Sequence, residues 1–338
     1  MRTVIIAGKN NIAVDILEYI LDTYGKYLNV AVVCNKTDIG QDSWQKSLRL
    51  GAKRRNVPEY RLEDTYTIPN AVFLSLEYDR IIKPDYFASQ ELYNIHFSLL
   101  PQYRGMYTSA IPILNGEEYS GVTLHRIDQG IDTGEIIAQK KFRLSEAETC
   151  RSLYLKYITR AVALMKEYLD ILIFYPNKVT SKAQDPKKAS YYSKTTIDYK
   201  NLEIDLKQTA SFIDRQIRAF SFREYQMPEI YGRKIIGTMM TTHHSKSSPG
   251  KIILESTIGW ILATNDYDII VFFDRFEELL QACEEGNLTK VQEICCVREH
   301  VNAVDQYGRT PLAVAKERNH DAIVNYLLCC GAELELEN

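Results

Sequence analysis

Apolar runs and helical periodicities alternate along the first half of the chain. Residues 3–7, 28–34, 71–76 and 92–97 are short, nearly unbroken apolar runs and predict buried strands. Residues 11–24 and 43–54 carry apolar side chains at helical spacing and predict amphipathic helices. This alternation predicts a parallel sheet with helices on both faces. After residue 97 the pattern breaks into a loop punctuated by Pro101 and Gly105. A helix over 107–114, stopped by Gly116, leads to strands 121–127 and 135–142, and then to a long helix over 149–174.

The second half changes character. Residues 175–193 are polar and contain Pro176 and Pro186, which marks a boundary. A helix over 206–220 buries Phe212, Ile213, Ile217 and Phe220 along one stripe, with Arg215 and Arg218 off it. Short strands follow over 230–240, 251–255, 259–264 and 268–273, with a turn at 247–250. From residue 274 onward a period of 33 emerges, pairing Ala282 with Ala315, Val291 with Val324 and Ile294 with Leu327. That period and the Thr310-Pro311-Leu312 helix start resemble an ankyrin repeat. The segment amounts to about one and a half repeats, too few to close its own apolar faces, so it is expected to dock on the body or on a second subunit. The domains read as 1–190, 191–273 and 274–338.

Length supports this count, because 338 residues exceed one ordinary domain. The net charge of −3 supplies no general attraction to nucleic acid, and no apolar run is long enough to span a bilayer. From Asp274 on, 13 acidic against 6 basic side chains leave the tail at −7 and the rest of the chain at +4. Seven cysteines without a Cys-x-x-Cys argue against a disulfide framework and a zinc site; the five in the tail read as small packing residues. The short apolar start reads as a first strand, too short for a signal peptide, and a cytoplasmic chain is expected. The turn 8–13 keeps only the first glycine of a dinucleotide fingerprint, which argues against NAD. Loop 128–132 lacks the alternating oxygens of a calcium loop.

The candidate chemistry lies between residues 92 and 134. Asn94 and His96, two apart on a strand, share a face, and the loop between the next two strands brings Asp132. A carboxamide, an imidazole and a carboxylate can stabilise an oxyanion and move a proton. Asn94-Ile-His96, Ser98-Leu-Leu-Pro-Gln-Tyr-Arg-Gly105 and Asp128-Gln-Gly-Ile-Asp132-Thr-Gly134 together resemble the folate-dependent formyltransferases. That family spans enzymes acting on methionyl-tRNA, on glycinamide ribonucleotide and on sugar nucleotides. The resemblance implies a Rossmann-like catalytic domain, a smaller mainly β domain and, here, a short all-α tail.

It also implies 10-formyltetrahydrofolate as co-substrate, with no metal. Asn94 would stabilise the oxyanion while His96 and Asp132 handle the amine proton. Leu76, Glu77, Tyr78, Ser98, Leu99, Leu100, Asp128 and Gly130 would line the folate pocket. Lys9, Tyr103, Arg104, Met106 and Tyr107 would meet the acceptor. Residues 220–228 are dense in aromatic and basic groups: Phe222 or Tyr225 can stack on a base, and Arg215, Arg218 or Arg223 can meet a diphosphate. Gln184 and the stretch 189–194 resemble the segment by which this family crosses into its C-terminal domain.

Within the family, the tRNA branch would require a basic C-terminal domain, and the purine-synthesis branch is too short. The sugar-nucleotide branch fits best, with a dTDP-linked amino-3,6-dideoxyhexose as partner (3-amino favoured over 4-amino) and bacterial surface polysaccharide such as O-antigen as destination. A methionyl-tRNA formyltransferase, or an ankyrin interaction protein with a degenerate enzyme body, is the alternative. A homodimer is expected through the strands of 251–273, with neither nucleic acid nor membrane as partner. The tail leaves room for a second nucleotide pocket, for which Trp260 and Tyr307 are possible walls.

Overall fold

The computed structural model describes residues 1–333. The last five residues of the expected tail, 334–338, lie outside that range. The chain divides into two compact units: Met1–Pro112, Glu117–Ser145 and Leu153–Ile197 form the first, and the remainder forms the second.

In chain order the first unit runs β1 (Arg2–Gly8), α1 (Asn10–Tyr24), β2 (Leu28–Cys34), α2 (Leu48–Arg54), β3 (Val72–Leu76), β4 (Leu92–His96) and the two-residue β5 (Arg104–Gly105). It continues with α3 (Ile111–Leu114), β6 (Tyr119–Arg126), β7 (Ile136–Arg143), α4 (Cys150–Phe174) and β8 (Tyr191–Tyr192), α3 and α4 each contributing an end to the second unit. The main sheet has the order β2-β1-β3-β4-β6-β7, parallel through β4 and antiparallel beyond. Strands β1 and β3 are almost wholly apolar because both of their faces are covered.

The helices gather on one face, contrary to the expected two-sided arrangement. Helix α1 touches α4 through Tyr24 on Phe174 and touches α2 through Val14 beneath Gly51. The opposite face, carrying Ile5, Ala7, Val33, Phe73 and Leu92, is closed by Leu62, Ile82 and Phe87, with no α-helical residue among the described members of that cluster. The reason is local: the β3–β4 connection contains Pro84, which opens a single 3-10 turn.

Two helices start later than expected. Residues 43–47 form a turn whose Ser47 hydroxyl accepts the Leu50 N–H as the cap of α2. Residues 107–110 stay outside α3, with Tyr107 in the left-handed region at φ 62°.

The second unit contains α5 (Ala210–Phe220), β9 (Glu229–Ile230), β10 (Arg233–Met240), β11 (Ile252–Glu255), β12 (Gly259–Leu262) and β13 (Ile269–Phe273). Thr209 caps α5, which delays its start from the expected residue 206. The antiparallel sheet, ordered β11-β12-β13-β10-β9, buries Leu262, Ile269 and Val271 against Ile213 and Ile217 of α5. Trp260, half-buried, packs against this cluster edge-on to Phe273 at 4.8 Å.

Four helices complete this unit: α6 (Phe276–Glu285), α7 (Leu288–Ile294), α8 (Pro311–Glu317) and α9 (Asp321–Cys329). Helices α7 and α9 begin 33 residues apart, as the periodicity predicts. The helices close a core of their own around Phe276, Leu279, Val291, Leu312 and Leu327, which corrects the expectation that the tail must borrow an apolar face. Two helix pairs, with Val301 between them, are enough to cover one another. At the junction with the sheet, Arg223 forks onto Asp274 through two 2.7 Å bonds and lies over the Phe276 ring, and the Asp274 N–H donates to the Lys234 carbonyl of β10 at 2.8 Å. Of the tail cysteines, Cys283 and Cys295 are buried, and burial pushes both thiols up to about 12. Cys296 and Cys329 are exposed, because they lie off the packed stripe of their segments.

Candidate active site

The site lies in the first unit, at the carboxyl ends of β3 and β4, where open α/β sheets receive ligands. Asn94, His96 and Asp132 all line one cleft of about 560 Å³. Strand β4 sits between β3 and β6, so Asn94 pairs with Ser75 on one side and His125 on the other. Asp132 is held on the β6–β7 loop in the left-handed region at φ 54°, an uncommon conformation for a residue with a Cβ.

Hydrogen bonds fix the orientation of these groups. His96 Nε2 lies 2.7 Å from the Tyr103 carbonyl oxygen, which can only accept, so Nε2 carries the hydrogen. Nδ1 lies 3.4 Å from Asp132 Oδ2. That same carboxylate oxygen accepts the Gly105 N–H at 2.9 Å. The His96 ring is thus held between a backbone carbonyl on Nε2 and the Asp132 carboxylate on the Nδ1 side.

His125 is a fourth member that sequence reasoning did not single out. Its Nδ1 donates to the Arg126 carbonyl at 2.7 Å, which leaves Nε2 to accept from the Asn94 amide at 3.0 Å. Burial drops its pKa to about 4 despite the nearby Asp132, whose Oδ1 lies 3.7 Å from Nε2. A neutral imidazole therefore orients the Asn94 amide. Strand pairing decides its role: on β6, His125 stands directly opposite Asn94.

The loop is clamped from behind. Gln184 Nε2 donates to the carbonyls of Asp132 and Gly134 at 2.8 and 2.7 Å, while its Oε1 accepts from the Arg104 guanidinium at 2.7 Å. Gly105 has φ +88°, and a Cβ there would lie 2.3 Å from the Tyr192 carbonyl oxygen, so only glycine can present this N–H to Asp132.

Of the residues expected around the folate, Glu77, Tyr78, Asp128 and Gly130 line the cleft. Leu76, Ser98, Leu99 and Leu100 do not; Ser98 and Leu100 instead shape the turn through bonds to Gln102 O and Thr123 Oγ1. Among the expected acceptor contacts Met106 lines the cleft, while Tyr103 and Arg104 are tied to Glu117 and Gln184. Tyr107 donates to the Lys194 carbonyl, and Lys9 stands at the start of α1. In the second unit, Arg215 meets Leu114 O, Arg218 pairs with Asp214, and Arg223 is committed to Asp274. Phe222 is buried there and Tyr225 is 63% exposed.

Residues 1–169 match the formyl transferase family model. The chain belongs to the formyl transferase family. The methionyl-tRNA formyltransferase of Fervidobacterium nodosum is 31% identical over 64% of this chain and 71% of its own length. That of Thermosipho melanesiensis is 28% identical, and the match spans 64% of its length. Among solved structures, the N-formyltransferase of Helicobacter canadensis, in complex with folinic acid and dTDP-3-aminofucose, is 41% identical with a TM-score of 0.74. It covers 81% of this chain and 100% of that one. WlaRD, a sugar 3N-formyl transferase solved with dTDP and 5-N-formyl-THF, is 40% identical at the same TM-score, covering 81% and 98%.

As a formyltransferase the protein draws its one-carbon unit from 10-formyltetrahydrofolate. The cleft fits that carrier: Tyr78, Ile81, Ile82, Ile127 and Ile131 form an apolar wall for a flat ring, with the Asp128 carboxylate at its rim.

Proposed function

We propose that the enzyme transfers the formyl group to the amine of a dTDP-linked amino-3,6-dideoxyhexose, the 3-amino sugar favoured, for surface polysaccharide such as O-antigen. The observation that carries this reading is coverage. The two sugar N-formyltransferase structures match 81% of the chain at 40% identity or more, well into the second unit, whereas the methionyl-tRNA enzymes align over 64% or less at lower identity. The methionyl-tRNA reading stays second, favoured by those same curated relatives.

In the proposed reaction the amine forms a bond to the formyl carbon, and the bond from that carbon to folate N10 breaks. One amine proton ends on the folate nitrogen, and any other is released to solvent. Asn94, one N–H held by His125, turns its second N–H to the developing oxyanion. The proton leaving the amine passes to Nδ1 of His96, where the Asp132 carboxylate stabilises the imidazolium.

The 33-residue helix pairs are read as an ankyrin tail on a three-part chain of 1–190, 191–273 and 274–338. The chain is read as a cytoplasmic homodimer. Its contact would be the outer face of the second sheet, where Met239, Ile270, Ile261 and Leu254 lie side by side across four strands. Met239 and Leu254 are 52% and 57% exposed.

Incubation with 10-formyltetrahydrofolate and a panel of dTDP-3-amino and dTDP-4-amino sugars, followed by mass spectrometry, tests the reaction. The expected product is the formamide of the 3-amino sugar. Formylation of methionyl-tRNA with no sugar converted would overturn the proposal.

A further inference from the structure

A second polar cluster borders the cleft and takes no part in the proton chemistry above. Glu77 follows Leu76, which pairs with Ile95, so it stands level with His96 on the neighbouring strand. Its backbone is left-handed at φ 58° and is held by Asn35, whose amide donates to the Glu77 carbonyl at 2.9 Å. This turn delivers the carboxylate to the start of α1 and to α4. There the Tyr154 hydroxyl lies 2.9 and 2.8 Å from its two oxygens, and Asn10 Nδ2 reaches one of them at 3.3 Å. Asn10 Nδ2 also lies 2.8 Å from the Tyr154 oxygen, closing a three-member ring.

Three features separate this carboxylate from an ordinary structural one. Among the described residues no Lys or Arg forms an ion pair with it; Lys9 acts on it only at longer range, and neutral donors hold it. It lines the same cleft as Asn94, His96 and Asp132. Its clamp is itself packed: the Trp44 ring lies 5.8 Å from that of Tyr154, the residue that donates to Glu77. Burial raises the proton affinity of Glu77, opposed by Tyr154, Lys9 and Asn10, so a cationic partner would be welcome.

We propose that Glu77, clamped by Tyr154 and Asn10, binds the ammonium of the acceptor amino sugar and sets the preference for an amine over a hydroxyl. The inference rests on the reaction proposed above. The folate ring is assigned to the apolar wall of Ile81, Ile82, Ile127 and Ile131, whereas the Glu77 carboxylate is turned toward α1 and α4. Of the two substrates, the amino sugar is the one that arrives as a cation. A carboxylate without a protein cation in a partly water-excluded cleft discriminates ammonium from hydroxyl through charge-assisted hydrogen bonds. Neither Tyr154 nor Asn10 can replace that charge.

The test compares wild type, Glu77→Gln and Tyr154→Phe in steady-state kinetics and in calorimetric binding of the dTDP-amino sugar and its hydroxyl analogue. For Glu77→Gln the acceptor KM should rise about tenfold or more, the size of one charge-assisted hydrogen bond, while the folate KM stays within about twofold. Its binding preference for amine over hydroxyl should collapse. Tyr154→Phe, which keeps the charge but loosens it, should raise the acceptor KM alone and keep the preference. A rise in folate KM in place of acceptor KM, or an unchanged amine preference in Glu77→Gln, would overturn the inference. Should Glu77→Gln fail to fold, an unchanged acceptor KM in Tyr154→Phe overturns it equally. If wild type formylates no amino sugar, the reaction assignment falls and this inference with it; if wild type does and the variants match it, only the inference falls.

Discussion

Asn94, His96 and Asp132, the groups proposed to do the chemistry, are held by two backbone groups and one imidazole. The Tyr103 carbonyl fixes one face of His96, the Gly105 N–H fixes Asp132, and His125 fixes Asn94. His96→Asn or Asp132→Asn should lower turnover by about two to four orders of magnitude, the span of general-base catalysis, with the melting temperature little changed. Steady-state rates alongside thermal melts check this, and wild-type-like turnover in His96→Asn would remove the assignment.

His125 makes a second, thermodynamic prediction. The unfolded residue titrates near ~6.5, the folded one at about 4. As pH falls from 7 the unfolded chain binds the proton first, so the stabilisation is full above pH 6.5 and is lost progressively down to about pH 4. Denaturant melts across that window should show stability rising with pH, and His125→Gln should flatten the rise. An identical slope in the variant would assign the titration to another group.

At the level of elements, the segment 220–228 that reads as a base-stacking loop divides its labour. Phe222 is 5% exposed and its ring lies 4.7 Å from that of Tyr225, so it is part of the packing. Tyr225, 63% exposed, is the member we propose to stack on a base. Tyr225→Ala should weaken dTDP binding by ~1–3 kcal/mol in a calorimetric titration, the range of base–aromatic stacking. No loss would place the base elsewhere. In the tail, Leu327 is fully buried at the centre of the helical core, and Leu327→Ala should cost ~2–5 kcal/mol in chemical denaturation. A loss below 1 kcal/mol would mean that the tail core contributes little to the measured unfolding.

Across the whole molecule, the second unit joins its sheet to its helices through ionic and aromatic contacts on Arg223, which meets both Asp274 and the Phe276 ring. Deleting everything after Phe273 strands this guanidinium, only 14% exposed, without its carboxylate. The truncated protein should be less soluble and melt earlier, and sedimentation analysis should show aggregation or loss of the proposed dimer. A soluble, dimeric, fully active truncation would show that the tail supports nothing.

Local chemistry sufficed for the strands of the first sheet, the shared face of Asn94 and His96 and the 33-residue helix spacing, because each is written in residue type and spacing. Strand β2 runs over residues 28–34 as its apolar run requires, and Asn94 and His96 share a face because a strand repeats every two residues. What tertiary structure alone decided are contacts between residues far apart in the chain. His125 lies 31 positions from Asn94, Gln184 lies 52 from Asp132, and Tyr154 lies 77 from Glu77. No periodicity encodes these pairings, since each depends on which strand ends and loops the sheet order brings together. The one-sided helical layer and the self-contained tail core were hidden for the same reason: a pattern of apolar residues says that a face must be covered, and only the assembled chain says by what.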